Sequence, residues 1–264
     1  MNQSIIGDWL GLPGWQIFLS LAVAYLTSAA IIHWVCFHSG WRDQVHSFQG
    51  VVAPFMVSPG VIFALMLSFL ASDVWARDRQ ALNDVLNERD AIRAVYDLSG
   101  VVGGAMPALR AATHDYVASV LRDEWPRMRH EHEAPTTSAA LEKLLRLASD
   151  PGNAQQAGQA TTAALLSAVL RIAAARSSRL SLSTDLADDY KWEAVLLLAL
   201  LAQFAVAAVH LQRPRPQILA LLVFTASAVT ALDLVAICED PFYGAHQISP
   251  APLQDLLTGS MRLG

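Results

Sequence analysis

Charged residues are missing from four long stretches of the chain: Trp9 to Trp41, Gln44 to Ser72, Ala194 to Gln212 and Pro216 to Leu232. A helix needs about 20 mostly apolar residues to cross the hydrocarbon core of a bilayer. The first three stretches reach that length, and the fourth reaches it with Asp233 near the membrane edge. The pattern predicts four spanning helices, roughly Gly14 to Phe37, Val51 to Trp75, Trp192 to Leu211 and Gln217 to Ile237. Trp9, Trp15, Trp34 and Trp41 flank the first span, as interfacial aromatic belts do. Pro54 and Ser58-Pro59-Gly60 predict a kink in the second, tolerable where neighbours or water satisfy the freed carbonyls.

Between the two helix pairs the pattern changes. From Ala76 to Lys191 charges return, and apolar residues recur three and four apart. Leu109, Tyr116, Val117, Val120, Leu121, Trp125 and Met128 make one stripe. Leu141, Leu144, Leu145 and Ala148 make a shorter one, with Ser138 as its expected N-cap. Asp150-Pro151-Gly152-Asn153 reads as a turn, and Leu165, Leu166, Val169, Leu170, Ile172 and Ala173 mark a long helix after it. No alternating β-branched run occurs, so the segment reads as all helix. The expected fold is therefore an all-α integral membrane protein. Its parts are a helix pair (1–75), a helical domain (76–191), a second helix pair (192–237) and a C-terminal segment (238–264). A short amphipathic helix is expected near Leu253 to Met261.

Composition sharpens this picture. Of 264 residues, 54% are apolar and 16% charged, against about 25% charged in a soluble domain. A net charge of −5 gives no basic face for nucleic acid. Cys36 and Cys238 lie far apart and form no metal-spacing motif. Met1 to Pro13 has no Lys or Arg and no cleavage pattern follows, so the first apolar run is expected to stay as a helix. Four spans put both termini and the middle domain on one side. Arg77, Arg79, Arg89, Arg93, Arg171, Arg176, Arg179 and Lys191 on that side outnumber Arg42, Arg213 and Arg215 on the short connections. The positive-inside bias makes the domain and both termini cytoplasmic in a bacterial inner membrane.

Few residues suggest chemistry. No activated nucleophile, phosphate-cradling glycine loop or zinc-binding helix motif occurs, so no enzyme, cofactor or metal is predicted. His130-Glu131-His132-Glu133 reads as a solvated helix end, because residues two apart on a helix do not face each other. Asp233 is a candidate membrane-edge acid, since an acid in an apolar run faces protein or water. In the second span Phe63, Leu67, Leu70 and Val74 fall on one helical face. Repeated around a ring, such a face forms an apolar constriction that gates by dewetting. Plain packing surface is the alternative.

Several short elements together resemble the bestrophins, and more closely a bestrophin-like family of membrane proteins whose function is largely unassigned. They are Glu88-Arg89-Asp90-Ala91-Ile92, Tyr116, Glu124-Trp125-Pro126-Arg127-Met128, Ala175-Arg176-Ser177-Ser178-Arg179-Leu180, Asp240-Pro241-Phe242-Tyr243-Gly244 and Ile248-Ser249-Pro250. The likeness spans roughly Phe55 to Leu257. It implies a homo-oligomer, a pentamer by analogy, conducting inorganic anions through a neck lined by the second helix at Phe63, Leu67 and Leu70. Animal bestrophins clasp calcium with acids beyond the Pro-Phe element. Here Glu239 and Asp240 precede Pro241 and Phe242, so no calcium gating is expected. A non-conducting membrane scaffold or sensor, whose cytoplasmic domain binds a partner, stays open beside the channel.

Overall fold

The computed structural model describes residues 5–47, 53–101, 106–128, 133–184, 189–243 and 246–259. Among these every regular element is helical. The chain divides into two compact units. The first comprises residues 1–76, 186–240 and 244–246, and the second residues 77–185, 241–243 and 247–264.

The first unit contains α1 (Ile5–Leu10), α2 (Gly14–Phe37), α3 (Arg42–His46), the start of α4 (Ala53–Val101), α9 (Asp189–Val209) and α10 (Pro214–Ala236). Among the described residues four helices, α2, α4, α9 and α10, are long and apolar enough to cross a bilayer. Helix α4 carries Pro59 within it and remains helical through that residue. Helices α9 and α10 are joined within four residues, and α10 begins at Pro214, whose fixed φ and missing N–H suit a first helical turn. Helix α2 packs against both α9 and α10. Ile17, Leu21 and Tyr25 from α2, Trp192, Val195 and Ala199 from α9, and Ala228, Val229 and Leu232 from α10 form the core.

Polar side chains reinforce that packing. Gln203 is fully buried; its Nε2 donates to the Tyr25 carbonyl at 3.0 Å and to Thr225 Oγ1 at 2.7 Å, while Ser28 Oγ donates to its Oε1. Gln217 Nε2 donates to the Ala207 carbonyl at 2.9 Å, and its Oε1 lies 2.8 Å from His33 Nδ1. Each glutamine thus ties three helices at one level. In hydrocarbon such groups must find their partners inside the protein.

The second unit contains the remainder of α4, then α5 (Pro107–Ser119), α6 (Pro135–Ala148), α7 (Pro151–Ala157), α8 (Gln159–Thr184) and α11 (Ala251–Thr258). Its core gathers Val85, Ile92, Tyr116, Val120, Leu144, Leu165, Val169, Ile172 and Leu253. Two local expectations change. Helix α6 begins at Pro135 after Ala134, so Ser138 lies inside the helix rather than capping it. Asp150 does not merely turn the chain: its Oδ1 accepts from Gly152 N at 2.8 Å and caps α7. Gly158, at φ +82°, separates α7 from α8 in a backbone region that glycine enters freely.

After α5 the helix widens into a π turn, Val120–Glu124, and then tightens into a 3₁₀ turn, Trp125–Arg127. Pro126 has no N–H to give the carbonyl four residues back and its ring crowds that carbonyl, so the α ladder cannot continue through it. Trp125 N instead bonds to the Val120 carbonyl, five residues back. The wider turn keeps Tyr116, Val120, Glu124 and Met128, each four apart, all buried.

Candidate functional site

Two places concentrate the residues of interest, one in each unit. In the first unit, α4 has two unlike faces. Phe63, Leu70 and Val74 are 7%, 2% and 1% exposed and belong to the unit's core, with Leu67 partly buried against it. Phe63 stacks at a tilt on Phe224 of α10, ring centres 6.2 Å apart. These side chains fill the protomer's own interior. The opposite face carries Val57, Val61, Ile62, Leu65, Met66 and Phe69, all exposed, with Phe69 at 64%. That face bears no charge from Val57 to Ser72. The spacing in the sequence marks the face of Phe63, Leu67, Leu70 and Val74, as a neck lining or as packing surface, and it is this face that packs into the unit's core.

The acids chosen from sequence separate in space. Asp233 is half-buried on α10, and its Oδ1 is buried without a hydrogen-bond partner among the described residues. Glu239 is buried and accepts from Trp192 Nε1 at 3.3 Å, while Trp9 packs edge-on against the Trp192 ring at 5.8 Å. Asp240 is half-buried, and Pro241 and Phe242 are buried in the second unit. Asp73 Oδ2 pairs with Lys191 Nζ at 3.0 Å in the first unit.

The second unit holds a buried charge cluster. Glu88 interrupts the apolar stripe of α4 (Ala81, Val85, Ile92, Val95), and Arg176 and Arg179 extend the stripe of α8 (Leu165, Val169, Ile172). Glu124 sits at the end of the π turn. Arg179 Nε donates to Glu88 Oε2 at 2.8 Å and its NH2 group to Glu124 Oε1 at 2.8 Å. Arg176 Nε donates to Glu124 Oε2 at 2.9 Å, and its terminal nitrogens reach Ser138 Oγ at 2.9 Å and Glu133 Oε1 at 3.4 Å. Tyr116 Oη donates to Glu88 Oε1 at 2.6 Å. Two guanidiniums and two carboxylates, all nearly or wholly buried, therefore balance. Met128 Sδ accepts from Arg179, whose guanidinium also lies 5.5 Å from the Trp125 ring centre. Trp125 meets Phe242 at a right angle, 5.8 Å between ring centres.

This environment moves proton affinities. Burial, then the charge of Glu88, pushes the Tyr116 phenol well above its ordinary value. The Ser138 hydroxyl and the charge of Arg176 hold Glu133 below the usual carboxylate range. Both arginines are held cationic by their carboxylates, against the opposing effect of burial. Among the described residues no group of three or more His, Cys, Asp or Glu is placed to hold a metal ion; His130, Glu131 and His132 lie outside those residues.

The charge cluster and the aromatic contacts beside it draw together residues that lie far apart in the chain: Glu88, Tyr116, Glu124-Trp125, Met128, Arg176, Arg179 and Phe242. A family model, the bestrophin-like domain, matches residues 23–253. The chain belongs to the bestrophin-like family. Crystal structures of a bacterial bestrophin homologue from Klebsiella pneumoniae, solved as point variants, share this bestrophin-like fold. One superposes with a TM-score of 0.67 at 13% identity, over 92% of this chain and 97% of that one. Another gives 0.66 at 16% identity, over 92% and 95%. A crystal structure described as a membrane protein gives 0.66 at 14% identity, over 92% and 98%. At these identities the likeness is one of fold. No curated protein matches the chain.

Proposed function

We propose that this bestrophin-like protein is a homo-oligomeric ion channel of a bacterial inner membrane. Its permeant ion is an inorganic anion, and its second unit and both termini are cytoplasmic. The observation that carries this reading is the exposed, uncharged face of α4 at Ile62, Met66 and Phe69, on the helix to which the family resemblance assigns the neck. Side chains at this spacing, brought together around an axis, leave a passage too apolar to stay wetted, and ions cross only when it fills with water. Phe63, Leu70 and Val74 then support the neck from behind, with Leu67 at its edge. Pentameric assembly follows by analogy with the bestrophins.

Two measurements test the proposal. Mass determination in detergent is expected to give a closed ring, and vesicles containing the purified protein are expected to release chloride. A monomer or dimer without an axis, silent in the same vesicles, would favour a non-conducting scaffold whose cytoplasmic unit binds a partner.

A further inference from the structure

Helix α10 presents an open groove of about 580 Å³, lined by Pro216, Leu219, Ala220, Val223, Phe224 and Ser227, with His210 from the end of α9. The first five of these are apolar, and Ser227 Oγ is already committed to the Val223 carbonyl at 2.9 Å. The groove's walls therefore suit a hydrocarbon chain. Its Pro216 end is different. Arg215 immediately precedes that proline, Arg213 lies two residues earlier, and both are exposed. Neither guanidinium forms an ion pair with a described residue. The contact between His33 and Gln217 sets the end of α2 level with the start of α10. At this end of the unit the short connections hold Arg42, Arg213 and Arg215 against one carboxylate, Asp43.

We infer that the groove binds an anionic phospholipid, with an acyl chain along Leu219, Val223 and Phe224 and the phosphate at Arg213, Arg215 and His210. Basic side chains at the mouth of an apolar cleft recognise such headgroups, and a guanidinium meets phosphate oxygens in a two-point contact. Charge complementarity selects this occupant over a second copy of the chain. A neighbouring protomer could offer only Asp43 to two arginines at this level, whereas an anionic headgroup brings its charge to the interface where they sit.

The test is native mass spectrometry of the full-length protein, exposed in detergent to phosphatidylglycerol or phosphatidylcholine of the same chain length. Two arginines near an anionic headgroup predict a preference for phosphatidylglycerol on the order of tenfold or more. Arg213→Gln with Arg215→Gln is expected to abolish that preference and keep the weak retention of phosphatidylcholine. Val223→Trp, at an exposed groove position, is expected to lower retention of both. Elution at the unchanged volume in size exclusion checks that the variants fold. Equal retention of the two lipids by the unaltered protein overturns the inference, as does a preference that survives loss of both arginines. If Val223→Trp instead splits the oligomer and leaves lipid retention unchanged, the groove is a contact between copies and the inference also fails.

Discussion

Arg179 donates from Nε to Glu88 Oε2 at 2.8 Å, and neither side chain retains any exposed surface. Burying two charges costs much of what their attraction returns, so the pair adds little net stability, but losing one partner strands the other. Arg179→Met is expected to cost about 3–5 kcal/mol, measured by thermal unfolding in detergent. Removing Glu88 as well should recover part of that loss.

Arg176 has a different carboxylate. Arg176 pairs with Glu124, whereas Glu88 goes to Arg179. A double-mutant cycle of Arg176→Met with Glu124→Gln is expected to show coupling of about 0.5–3 kcal/mol. The cycle with Glu88→Gln should couple less, and equal coupling in both would contradict the assignment.

Tyr116 makes the second unit sensitive to alkali. Folding raises the phenol's pKa above its unfolded value near 10. Its contribution is thus complete below pH 10 and is lost progressively as pH rises beyond it. Melting temperature followed from pH 8 to 11 should fall more steeply for the unaltered protein than for Tyr116→Phe. Parallel curves would show that the phenol is not what titrates.

Gln203 joins α2, α9 and α10 inside the apolar unit. Gln203→Leu keeps the volume but removes the donor to Thr225 Oγ1 and leaves Ser28 only the Tyr25 carbonyl. The expected loss is about 1–2 kcal/mol, read as easier unfolding in a detergent titration. A variant as stable as the parent would show that the polar ladder contributes nothing.

The four spanning helices and the all-helical fold were legible because long uncharged runs admit few other structures. The charge cluster was half legible. Glu88, Arg176 and Arg179 stand at core positions of otherwise apolar stripes, a signal that charged groups are buried together. Glu124 also falls on the apolar stripe, four residues after Val120 and three after Leu121, but the pattern does not show which arginine it meets. The π turn before Pro126 that sets its local geometry has no mark in a helical period. The faces of α4 were not legible either. Phe63 and Phe69 are equally apolar in sequence, and only the packing of Phe63 on Phe224 tells them apart.

That distinction permits the most direct test of the account. Chloride current through the reconstituted protein should rise several-fold when the exposed face is made polar, as in Met66→Ser, because water then fills the neck more readily. Leu70→Ala, on the buried face that backs the neck, should chiefly lower stability and change the current per folded protein less than Met66→Ser does. An absence of current in the parent and in Met66→Ser alike, from folded oligomers, would contradict the claim that this helix face surrounds an ion path.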